Sequence, residues 1–197
     1  LKWLYLKKLF YSFIATVILI IGKKGAMGTS KSSLSKYVDT LQETGRYTFT
    51  QEEAFKAIDI SKSAFEKACR KLVVEKRLLS PKAKFYVIVP LEYRSVGSPP
   101  PTHFIAQLMK YLEQDYYVAM LSAAELYGVT HQKAQEFQVL TDKATKSPSI
   151  KRPKINFYYK KDLKNTPTQE IKVPTGLIKV STLSATLLDL IRHTNHC

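Results

Sequence analysis

Lys62, Ser63, Glu66, Lys67, Arg70 and Lys71 recur at helical spacing in one short stretch, and their chemistry is that of polyanion recognition. Lysine and arginine neutralise phosphates, and a guanidinium matches the O6 and N7 edge of guanine with two parallel hydrogen bonds. On a helix, Ser63, Lys67 and Arg70 share one arc, flanked by Glu66 and Lys71. The opposite arc is an apolar stripe of Phe65, Ala68, Cys69, Leu72 and Val73. Further on, Pro81-Lys82-Ala83-Lys84 reads as a basic turn between Leu78-Leu79-Ser80 and the β-prone run Phe85-Tyr86-Val87-Ile88-Val89. Lys82 and Lys84 at such a tip would reach a phosphate backbone or a minor groove. A second basic stretch holds Lys151, Arg152, Lys154, Lys160 and Lys161, with Lys143, Lys146 and Lys164 nearby and only Asp142 and Asp162 in opposition. Tyr158 and Tyr159 sit within it. Aromatics in basic surroundings can stack bases, although a strand tyrosine more often simply packs.

Catalytic constellations are sparse. Glu170-Ile171-Lys172 is the Glu-x-Lys triplet of many metal-dependent nucleases, but the preceding strands carry lysines where a metal-binding Asp is needed. His193, His196 and Cys197 supply only three possible ligands, at a chain end. His103 and His131 stand without a visible nucleophile or acid partner, and 7 glycines form no phosphate-cradling loop. The expectation is a protein without catalysis, metal or cofactor.

The 197-residue chain carries 31 Lys and Arg against 16 Asp and Glu, a net charge of +15, which points to a polyanionic partner or an anionic surface. Leu34, Tyr37, Val38 and Leu41 predict a first helix from Ser32, stopped by Gly45. Thr50-Gln51-Glu52-Glu53 reads as a capping box opening a second helix that buries Ala54, Phe55 and Ile58. Ser61 then caps a third, with Ile60 and Phe65 as a hydrophobic staple. Three helices followed by a basic-tipped hairpin predict an N-terminal winged helix-turn-helix domain over residues 27–91, binding double-stranded DNA. Residues 92–101, rich in proline, read as a stiff linker.

Residues 102–197 predict a small α+β domain with a mostly antiparallel sheet. Thr102 and the Ser122-Ala123-Ala124-Glu125 box would cap helices, with Gly128 stopping the second. Strands are expected near Phe137–Thr141, Ile155–Tyr159, Glu170–Val173 and Leu177–Val180, and a last helix from Thr182 to Arg192. Two distant cysteines, Cys69 and Cys197, make no disulfide framework and fit a reducing cytoplasm. Residues 1–26 differ from the rest: an apolar run from Leu9 to Ile21 lies between lysines and is short for a membrane span. It reads as a translated leader ahead of Met27 rather than a native element. Its five lysines leave +10 of the charge on the remainder.

Several segments resemble the AbiEi-type antitoxins. They are Phe85 to Arg94, the Pro99-Pro100-Pro101 run with Phe104-Ile105, and Tyr116-Tyr117-Val118 leading into Ser122-Ala123-Ala124-Glu125-Leu126-Tyr127-Gly128. Thr175 to Thr182 and Thr186-Leu187-Leu188-Asp189-Leu190 are similar too. The resemblance spans roughly residues 34–192. It implies a repressor and antitoxin of a type IV toxin–antitoxin, or abortive-infection, operon. Such a protein binds promoter inverted repeats through its first domain; that requires two copies, a dimer or two monomers on adjacent half-sites, and since no dimerisation stripe is readable a monomer in solution is expected. Its second domain counters a nucleotidyltransferase-like toxin without a stable complex. The family continues past the last helix, whereas this chain stops at His193-Thr194-Asn195-His196-Cys197, which reads as a truncated frame. The alternatives are a nuclease-like or general nucleic-acid-binding protein, and a membrane-anchored regulator.

Overall fold

The computed structural model describes residues 33–130, 134–150 and 153–193. The leader over residues 1–26, His131, Lys151, Arg152, His196 and Cys197 lie outside them. The first helix, α1 (Leu34–Glu43), begins at Ser33, whose hydroxyl accepts the Lys36 N–H. It ends where Gly45 adopts φ 73°. The Gly45 and Arg46 amides then turn back to the Gln42 and Leu41 carbonyls at 3.0 and 2.9 Å, so a residue tolerant of left-handed backbone closes the helix.

Strand β1 (Thr48–Thr50) leads into α2 (Gln51–Ala57). The expected capping box forms: Glu53 N–H donates to the Thr50 hydroxyl, and the Glu53 carboxylate accepts the Thr50 N–H at 2.8 Å. Helix α3 (Lys62–Val74) starts at Ser61, which accepts the Ala64 N–H, and Ile60 and Phe65 pack in one cluster as the staple requires. Two residues of the expected core differ. Phe55 is 38% exposed on α2, which buries only Ala54, and Val73 is 43% exposed because the buried stripe of α3 is the narrower Phe65, Cys69 and Leu72. Phe55 nonetheless meets the Phe65 ring edge-on at 5.0 Å.

The hairpin of β2 (Leu78–Lys82) and β3 (Phe85–Ile88) forms with β1 an antiparallel sheet of order β1-β3-β2. Strand β2 runs on through Pro81, where the sequence predicts the turn. The register shifts between Leu79 and Lys82, which accommodates a residue without an N–H. The turn proper is Ala83-Lys84, with Lys84 at φ 61°.

Two 3-10 turns, Leu91–Tyr93 and Pro101–His103, flank a proline run in which Ser98, Pro99 and Pro101 are buried. Thr102 falls inside the second turn and does not cap a helix. Helix α4 (Ile105–Tyr111) begins behind Phe104 without a side-chain cap. After β4 (Tyr116–Val118), helix α5 (Met120–Leu126) starts earlier than Ser122 predicts. Its first N–H groups are met from the neighbouring strand: the Gln138 side chain accepts the Leu121 N–H at 2.9 Å. Ser122 is buried instead, donating to the Glu136 carbonyl and accepting the Gln138 N–H. Gly128, at φ 68°, does end this helix.

Strands β5 (Glu136–Thr141), β6 (Lys154–Tyr159), β7 (Thr168–Val173) and β8 (Gly176–Ser181) precede α6 (Leu183–Arg192), which Thr182 caps. The sheet order is β6-β5-β4-β8-β7. It is mixed rather than mostly antiparallel: β4–β5 and β7–β8 are antiparallel, β5–β6 and β4–β8 parallel. The connection after β5 runs back along the sheet, so β6 re-enters in the direction of β5. Hairpins are read from turn residues, whereas such crossovers leave no local mark.

From Ser33 on, the chain forms one compact unit with three hydrophobic clusters, and two of them share β3. Phe85 and Val87 pack with Phe104, Leu108, Val118 and Val139, while Ile88 and the partly buried Tyr86 face Leu34, Phe49 and Phe65. The hairpin tip is tied to the second half as well. Tyr111 donates its hydroxyl to the Ala83 carbonyl at 3.0 Å, and its ring lies 5.2 Å from Phe85. Phe85→Ala should therefore cost about 3–5 kcal/mol and lower both halves together. Hydrogen exchange in urea at α1 and β5 checks this; loss of protection at β5 alone would show independent halves.

Candidate nucleic-acid interface and buried ion pair

Ser61 starts α3, and burial of Phe65, Cys69 and Leu72 sets its phase, which turns Lys62, Ser63, Glu66, Lys67, Arg70 and Lys71 all outward. Their internal attachments are weak. Arg70 approaches Glu66 at 3.9 Å and Lys71 approaches Glu75 at 3.9 Å, both one turn apart on the helix. Ser63 lies 3.4 Å from the Ser61 hydroxyl. Exposed pairs of this kind contribute about 0.3–0.5 kcal/mol and are readily exchanged for a phosphate. Beneath them Cys69 is core, and burial pushes its thiol up to about 11 despite a hydrogen bond with Tyr86. It is therefore a packing residue, not a reactive thiol. Strand β2 packs against α3, which brings the hairpin to the same half of the fold. Lys84 is exposed at its tip, and Lys82 is half-buried.

The second basic stretch is less uniform than its sequence. Lys154 pairs with Glu136 at 3.2 Å, and Glu136 also accepts hydrogen bonds from Tyr158 and Asn156. Burial raises that carboxyl's pKa, but the three donors outweigh it and hold the group below the usual range. Lys161 stays exposed, as does about half of Tyr159. Lys160 turns inward. Its Nζ donates to Asp189 Oδ1 at 2.9 Å and to the Tyr117 hydroxyl at 2.7 Å. Tyr117 in turn donates to Asp189 Oδ2 at 2.9 Å. Asp189 is 2% and Lys160 15% exposed, so this is a closed internal network. Burial and the Asp189 charge raise the Tyr117 pKa, so the phenol keeps the proton it donates.

The other candidate sites remain apart. Glu170 lies exposed on the edge strand β7, and among the described residues no three His, Cys, Asp or Glu side chains cluster as a metal site. His103 packs edge-on against Tyr93, and burial lowers its pKa. No helix among the described residues is long and apolar enough to cross a membrane.

The network is not visible in the sequence, since Tyr117, Lys160 and Asp189 are far apart there. What marks its position is the Tyr116-Tyr117 pair and the Thr186–Leu190 segment, which the fold brings together. Residues 117–197 match a family of antitoxin domains. That family is the AbiEi antitoxin C-terminal domain, so the resemblance to AbiEi-type antitoxins is borne out over this stretch. A comparison with curated proteins gives no match.

Removing one partner of a buried ion pair leaves the other charge uncompensated. Lys160→Met should destabilise the protein by about 3–5 kcal/mol, and adding Asp189→Asn should recover much of the loss. Urea unfolding of the single and double variants measures both. A loss below about 1 kcal/mol, the value of an exposed pair, would show that the network contributes little.

Proposed function

We propose that the chain is a non-catalytic repressor and antitoxin. Its first half, residues 27–91, acts as a winged helix-turn-helix on promoter DNA, and its second half, residues 102–197, opposes a nucleotidyltransferase-like toxin. The outward face of α3 carries the DNA reading: Lys62, Lys67, Arg70 and Lys71 lie on one exposed helix, held by at most marginal internal pairs. The order helix, strand, helix, helix, hairpin supports it, because the short α2–α3 connection suits a helix-turn-helix, whose later helix enters a major groove. The match over residues 117–197 supports the antitoxin role. Binding to an inverted repeat places two copies about 34–36 Å apart, one helical turn of DNA. The protein acts without metal or cofactor, in the cytoplasm.

Base-reading and phosphate-holding residues separate by experiment. Lys67→Ala with Arg70→Ala should weaken operator binding by about 1–3 kcal/mol for each base edge left without its side-chain partner, and should relax sequence preference. Lys82→Ala with Lys84→Ala should weaken all sequences alike and flatten the salt slope by about one per lysine, mostly through Lys84. Gel-shift titrations on the upstream promoter and on scrambled DNA, over a salt series, read both effects. Unchanged binding by both double variants would place the DNA face elsewhere.

A further inference from the structure

Helix α6 buries a mostly polar face, with Leu190 partly buried beside it. Ala185, Thr186 and Asp189 face the fold, where Thr186 and Ser181 share a hydrogen bond of 2.7 Å and Asp189 meets Lys160 and Tyr117. Leu183, Leu187, Leu188 and Ile191 face outward and are 45%, 56%, 59% and 71% exposed. At 3.6 residues per turn these four fall within an arc of about 140°. Single exposed aliphatics are ordinary on a protein surface, whereas a continuous aliphatic arc on one helix marks an interaction surface.

The C-terminal end of this arc is cationic. Arg192 is exposed at the end of α6, and Lys161 and Lys164 are exposed in the loop after β6. Arg192 and Leu188 also line, with Thr166 and Ser184, a cavity of about 220 Å³ between that loop and the helix. Asp162 is the one exposed acid of that loop, and Asp189 is closed off by its two partners. We propose that the outward face of α6 docks an amphipathic segment of a partner protein whose apolar residues are flanked by Asp and Glu. The chain's own apolar run, Leu9 to Ile21, has lysines on both sides and is mismatched in sign. A second copy would bring two like-charged rims together. Nucleic acid offers nothing to the aliphatic arc, which carries no aromatic to stack a base. The inference does not depend on DNA binding by α3.

The test uses the full chain and two fluorescein-labelled synthetic helices with identical leucine stripes, one flanked by glutamates and the other by lysines. Fluorescence anisotropy should show saturable binding of the acidic helix, about tenfold tighter than its twin, as expected when one or two rim contacts change from attraction to repulsion. Leu187→Glu with Ile191→Glu should abolish that binding while the circular dichroism spectrum stays unchanged. Arg192→Glu should reduce or invert the preference between the helices, a readout that a folding defect would not produce. Equal binding of both helices, or of neither, would overturn the proposal. So would tighter capture by vesicles of anionic phospholipid, or a dimer in sedimentation that the Leu187 and Ile191 substitutions dissolve.

Discussion

Strand β3 is buried on both faces, and much of the fold depends on that. In an extended strand successive side chains point to opposite sides. Phe85 and Val87 therefore enter one core, while Tyr86 and Ile88 enter the other. A one-residue slip would exchange the two sets and misfit both cores at once. The register is held from several directions: pairing with β1 and β2, the turn at Lys84, and the Tyr111 hydroxyl on the Ala83 carbonyl. The basic hairpin is thus part of the scaffold of the second half, not a free arm. Its tip is positioned by a residue on α4.

A second constraint is the pairing of Lys160 with Asp189 under Tyr117. Taking two charges out of water is costly, and the cost is offset only where geometry and hydrogen bonds are good. Here the ammonium and the phenol both donate to the carboxylate, and the three residues come from β4, the end of β6 and α6. The network fixes α6 against the sheet by polar contacts. That arrangement leaves four of the helix's five large aliphatic residues facing away from the core, with Leu190 alone packed on it.

Local chemistry makes part of this legible in the sequence. Thr50 with Glu53, Ser61, Gly45 and Gly128 announce helix ends because capping is decided within a few residues. Four of the five strands of the second half lie within a residue or two of their expected positions for the same reason, whereas the three-residue central strand β4 is too short to show alternation and is not among those expected. Partners distant in sequence are not legible. Gln138 takes the capping role expected of Ser122, and the parallel pairings depend on where long connections re-enter the sheet. Lys160 reads as one more surface charge among eight basic residues, because nothing near it announces Tyr117 or Asp189. The phase of α3 agrees at Phe65, Cys69 and Leu72, yet Val73 lies just beyond the width of the buried stripe.

The half that contains the match to an antitoxin domain thus shares β3 with a half whose exposed helix is basic. Charge alone gives affinity for any nucleic acid, and only base-edge contacts distinguish one duplex from another. The most direct measurement is binding of the chain to its own upstream promoter DNA, titrated with random competitor across a salt series. Tight binding that resists random DNA, with about a thousandfold or greater preference typical of specific sites, is the predicted result. Binding that random DNA displaces equally, with a steep salt slope, would contradict sequence reading by α3.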